Sequence, residues 1–269
     1  MIEDDQLNNA NRHPRPWVFF LLVLLLLIPF YGLGAAGGRL PILTVLPISA
    51  LMACTPMVAA LILITRERGA EGVTNLLKRA LDFGRIGSLR WYLVAVCLLP
   101  IIAMLQYIAL RMIGTTLPAP LFAFGDVPLF LVMFFVGAIG EELGWQGYAF
   151  PALSTRYSAL AAALILGVFW ALWHVIPFIQ LGRGADWILW HGLSIIALRV
   201  IIVWLFVNTG QSVFIAVLFH TMSNMPWGVV TNYGSFYDPF VTFVILTLVA
   251  GLVAAYWGPA TLARFRYAQ

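Results

Sequence analysis

The chain has 269 residues, of which 62% are hydrophobic and only 10% charged, with a mean hydropathy of +0.95 and a formal net charge of +4. A water-facing globular domain carries about a quarter of its residues as charges, so the composition excludes a soluble fold and makes the lipid bilayer the solvent. No run of Lys or Arg is interleaved with aromatics, which argues against a nucleic-acid partner. Within lipid the backbone must satisfy itself, and long continuous apolar runs without two-residue alternation point to an all-α polytopic helix bundle rather than a barrel.

In chain order, residues 1–16 form a polar tail, and Trp17 to about Gly34 is the first apolar run. This run exceeds the roughly 7–15 residues of a signal-peptide core and follows Glu3, Asp4 and Asp5, so it reads as an uncleaved span. Further spans are expected near 44–65, 91–113, 127–153, 158–180, 187–208, 212–231 and 239–257, about eight in all. Between the second and third, Val73, Leu76, Leu77, Ala80 and Leu81 recur at helical spacing among charges, predicting an interfacial amphipathic helix near 69–85. The chain then divides into N-terminal membrane helices (17–124), a membrane core (125–231), and a last helix with a short basic tail (232–269). Placing both termini inside puts eleven Lys and Arg on the inner side and leaves Arg39, Arg111 and Arg183 outside, which favours N-in and C-in. Cys54 and Cys97 sit in separate apolar runs and read as packing residues.

Two acids interrupt the fourth span. Glu141 and Glu142 lie between Gly140 and Leu143 in an aromatic, apolar stretch that continues to Leu153. A charge at mid-bilayer costs at least about 2.5–3.5 kcal/mol, so the pair needs protein partners or water, unless the span ends early and leaves both in a headgroup-level loop. His174 in the fifth span and His220 in the seventh are candidate partners. If spans four and five turn near Tyr157, Glu141 and His174 fall at one depth, whereas His220 comes out roughly 9 Å shallower. Asn224 shares the His220 face, and Gln146 that of Glu142. Pro151, Pro177 and Pro226 follow these sets and are placed to kink or end their helices. A carboxylate, two imidazoles and an amide suit water-driven hydrolysis of an amide or ester, with carboxylate as base and amide as oxyanion donor. Two His and one Glu (Glu141, His174, His220) are also a zinc ligand set, and metal-bound and metal-free water both remain open.

Glu141-Glu142-Leu143-Gly144-Trp145-Gln146, then Trp170 to His174, then His220 to Asn224, each on its own apolar span, resemble the CPBP family of type II CAAX prenyl endopeptidases and bacteriocin-processing, immunity-type proteins. The likeness covers about 125–230. It implies an intramembrane endopeptidase, with Glu141 as general base, His174 and His220 as water-positioning or metal-binding groups, and Asn224 in the oxyanion site. Glu142, Gln146 and Trp170 are then supporting residues. Two positions depart from the pattern. Gln146 replaces the family Arg, which leaves Glu142 without a cationic partner, and Trp170 replaces Phe, a mild change of bulk. The expected setting is a multi-pass membrane protein, in the cytoplasmic membrane if bacterial, with a membrane-associated peptide or protein as substrate cut near the cytoplasmic leaflet. A proton-coupled transporter or channel using the same residues, or an inert membrane scaffold, are the alternatives.

Overall fold

The computed structural model describes residues 15–38 and 48–263. The polar tail up to Pro14, the start of the second expected span and the basic tail from Arg264 lie outside these residues. Among the described residues, eight helices make up the bundle: α1 (Pro16–Ala35), α2 (Thr55–Lys78), α3 (Leu89–Met112), α4 (Val127–Gly144), α5 (Ala159–Gln180), α6 (Ala185–Asn208), α7 (Val213–Val229) and α8 (Pro239–Trp257). Seven described helical stretches are long and apolar enough to cross a membrane; α7, with 17 residues, is shorter. Outward-facing Leu24, Ile28, Ile101, Val132, Leu172 and Leu252 are exposed, as a lipid-facing surface requires.

The amphipathic segment after the second span is helical, as expected, and is set off from the span by a kink. The kink is at Gly69 within α2, whose φ of 63° and ψ of −160° only glycine adopts without strain. Past α2, the chain folds under the α6–α7 turn. Arg79 and Arg85 donate to the carbonyls of Gln211 and Gly210, and Asp82 accepts from Ser212 Oγ and from the backbone of Val213 and Phe214. Asp82 therefore caps α7 from a distant segment, satisfying amides that a helix start leaves unpaired. The turn it covers is itself buried at Thr209 and Ser212.

Small residues let the rods around the acids approach. A Cβ on Gly144 would fall 2.4 Å from Pro56, and one on Gly140 would fall 2.7 Å from the Ala53 carbonyl. The helix of α4 does not stop there. It runs through a π-helical turn, Trp145–Ala149, into a last α-turn, Phe150–Ser154. Pro151 has no amide proton, so the Gly147 carbonyl lacks its helical donor; Arg79 Nη1 supplies one at 3.0 Å. Pro177 likewise frees the Trp173 carbonyl, which accepts from the Tyr31 hydroxyl at 2.6 Å. The expected kinking prolines thus create acceptors that tie α1 and α2 to the core.

Gly144→Ala should lower the thermal midpoint of the detergent-solubilised protein, by about 1–3 kcal/mol of overpacking. Gly137→Ala, with nothing within 4 Å of the added methyl, should leave it unchanged.

Candidate active site

The acids lie inside the continuous helix, not in a headgroup-level loop: Glu141 is 7% exposed and Glu142 fully buried. Neighbouring on α4, they point to different partners. Glu142 is held by Arg199 of α6, whose Nη1 donates to Oε2 at 2.8 Å and Oε1 at 3.0 Å, and by His220 Nδ1 at 2.9 Å from Oε1. Both side chains of the ion pair are 0% exposed.

Arg199 corrects the reading of Glu142 as an acid without a cation. Although Gln146 replaces the motif arginine, a guanidinium still reaches Glu142, from another helix. Gln146 does not support it: the side chain is buried and neither amide atom has a hydrogen-bond partner. The π-helical turn that begins at Trp145 breaks the regular four-residue register on which the Glu142–Gln146 pairing rested. Arg199 was detectable in the sequence, because a lone arginine inside the apolar run of α6 is costly by the same argument that singles out the glutamates.

Glu141 instead accepts at Oε2 from the Trp170 indole N–H at 2.7 Å and more weakly from Trp145 at 3.4 Å. The exchange of Phe for Trp at 170 is therefore more than bulk, since a phenyl ring has no N–H to give. The same indole packs edge-on to His174 and His220, and the Arg199 guanidinium lies 3.9 Å from its ring centroid. Trp170 thus joins the two acids' environments.

Hydrogen-bond partners fix both histidine tautomers. Carboxylate and carbonyl oxygens only accept, so Nδ1 carries the proton in His220, against Glu142, and in His174, 2.8 Å from the Trp170 carbonyl. In its neutral form each imidazole then presents the Nε2 lone pair. That of His220 lies 3.9 Å from Glu141 Oε1, beyond a direct hydrogen bond and suited to an intervening water. The expected depth mismatch of His220 is absent, because the buried α6–α7 turn starts α7 deep in the bundle.

Glu141, Trp170, His174, His220 and Asn224 all line one cavity of about 540 Å³; Glu142 and Gln146 do not. The cavity extends past Phe178 to Trp187, His191 and Tyr237, where His191 Nδ1 and the Tyr237 hydroxyl are 2.6 Å apart. Burial raises the Tyr237 phenol above its usual range and keeps it neutral. Two imidazole nitrogens and a carboxylate are zinc-ligand types. Among the described residues, however, no three His, Cys, Asp or Glu side chains converge closely enough to hold an ion. The donors match in type and not in spacing, and no step below passes through a metal.

Removing one partner of the buried ion pair strands the other. Arg199→Leu should cost about 3–5 kcal/mol, and Glu142→Gln combined with Arg199→Leu clearly less than the sum of the singles. Thermal unfolding of the four proteins in one detergent reads the difference.

A family model described as type II CAAX prenyl endopeptidase Rce1-like matches residues 122–226. CAAX prenyl protease 2 of Methanococcus maripaludis is 29% identical over 184 residues, 63% of this chain and 67% of that protein. The matched segment contains both acids, His174, His220, Trp170, Arg199 and Asn224. With its motifs on separate helices of one multi-pass membrane bundle, the chain is similar over this segment to the type II CAAX prenyl endopeptidases.

Proposed function

We propose that the protein is a CAAX-protease-like intramembrane endopeptidase in which Glu141 activates water against a peptide bond. The observation that carries this reading is the division of labour between the two acids. Glu141 faces the cavity with one oxygen held by Trp170, while Glu142 is turned away and held by Arg199. A carboxylate fixed at one oxygen and open at the other is poised to take a proton.

In the proposed reaction, one proton of the water is hydrogen-bonded to Glu141 Oε1 and the other is shared between the Nε2 atoms of His220 and His174, which orients it. Glu141 takes one proton as the oxygen attacks the peptide carbonyl carbon. The Asn224 amide donates to the oxyanion that forms. Glu141 then returns the proton to the departing nitrogen as the C–N bond breaks, giving a carboxylate and an amine. Glu142 and Arg199 do not touch water; they keep the His220 proton on Nδ1 and its lone pair on the cavity side.

Glu141→Gln should lower cleavage by about 10²–10⁴-fold while the fold persists. The assay is purified protein with quenched-fluorescence peptides, with and without an S-farnesyl cysteine, alongside N-terminal profiling of wild-type and variant membranes. Equal cleavage by the variant would rule the mechanism out. Trp170→Phe, which restores the family residue but removes the indole donor, should reduce kcat by a smaller factor and leave KM nearly unchanged.

A further inference from the structure

The helices alternate in direction, so their connections collect at two ends. One end carries the Arg79–Ser88 segment, the α4–α5 turn near Arg156 and the α6–α7 turn, tied together by Asp82, Arg79 and Arg85. The other carries the α3–α4, α5–α6 and α7–α8 connections, joined where Ala123 donates to the Val229 carbonyl at 2.8 Å and Thr231 to that of Leu121 at 2.9 Å. The cavity belongs to the second end. Its walls beyond the reacting groups are the last turns of α5 and α7, the first turns of α6 and α8, and Arg183, Tyr233 and Tyr237 of the connections. None of its lining residues comes from the connections of the first end.

Charge separates the same two ends. Among the described residues, Arg15, Arg66, Arg68, Lys78, Arg79, Arg85, Arg90 and Arg156 lie towards the first end, and only Arg111 and Arg183 towards the second. Arg199 is buried between them in its ion pair. Short connections rich in Lys and Arg stay in the cytoplasm. An eight-to-two bias therefore orients the bundle with its basic end inside.

We propose that the cavity opens on the extracytoplasmic side, so that its substrate is a peptide or protein segment presented at the outer leaflet, not a cytosolic chain end. This rests on reading the cavity as the peptidase site, and it replaces the expectation of cleavage near the cytoplasmic leaflet. The polar and aromatic mouth formed by Arg183, Trp187, His191 and Tyr237 then faces the outer aqueous phase, where an exported chain can enter it.

Sidedness can be measured without turnover, which separates it from the peptidase reading. In full-length protein with Cys54→Ala and Cys97→Ala, single cysteines are placed by Asp186→Cys and Thr116→Cys at the cavity end and by Thr155→Cys at the basic end. In intact cells, a membrane-impermeant maleimide should label the first two, and Thr155→Cys only after permeabilisation. Ser223→Cys, inside the cavity beside Asn224, should react from the outside with a small charged methanethiosulfonate. Labelling of Thr155→Cys in intact cells, with Asp186→Cys and Thr116→Cys reacting only after permeabilisation, would overturn the proposal. So would a Ser223→Cys that reacts only from the cytoplasmic side. A Glu141→Gln background should label identically; loss of cleavage in that background bears on the peptidase reading alone.

Discussion

The site depends on a charge pair that no water reaches. Arg199 of α6 and Glu142 of α4 meet with both side chains fully buried, and His220 completes the set through Nδ1. Such a pair is costly to bury and costlier to break, because a lone charge left behind has no solvent. It therefore works as a register pin. The relative positions of α4, α6 and α7 are set by the requirement that Glu142 reach both partners, and Glu141, one residue away, is carried to the cavity wall as a consequence.

Other parts of the bundle serve the same arrangement. Gly140 and Gly144 let the start of α2 press against α4 beneath the acids, and Gly167 gives α5 the same closeness to Ile196 of α6. The π-helical turn after Gly144 is followed by a proline whose freed acceptor is taken by Arg79. That arginine also reaches the α6–α7 turn, so the segment capping α7 and the distorted end of α4 are braced by one side chain. Trp170 adds the link across the site, donating to Glu141 and lying beneath the Arg199 guanidinium. Trp170, one of the two positions that depart from the family pattern, thus packs against the cation that holds Glu142.

Much of this is legible in the sequence. Hydropathy gave the helices, because lipid leaves a hydrophobic run few alternatives, and the cost of intramembrane charge singled out Glu141, Glu142, His174 and His220. What escaped the sequence were the consequences of packing. Counting residues along ideal helices put His220 too shallow, since a turn buried beneath a distant segment cannot be read from local pattern. The i,i+4 rule joined Glu142 to Gln146, whereas a π-helical turn broke that register. Arg199 meets the same criterion as the glutamates, but its pairing with Glu142 across 57 residues is a product of the folded bundle and has no local signal. The amphipathic stretch after Arg66 is legible as helical, but its break from the span at Gly69 hangs on a single positive φ.

The account turns on the proton of His220. If the Arg199–Glu142 pair organises the site, it does so by holding that proton on Nδ1 and leaving Nε2 to face Glu141 across the cavity wall. Nitrogen-15 NMR of the protein in lipid nanodiscs, with its four histidines labelled and assigned by single replacement, reads this directly. A neutral His220 protonated at Nδ1, changed by Glu142→Gln, is the predicted result. A His220 protonated at Nε2, or one indifferent to loss of the Glu142 charge, would contradict the account.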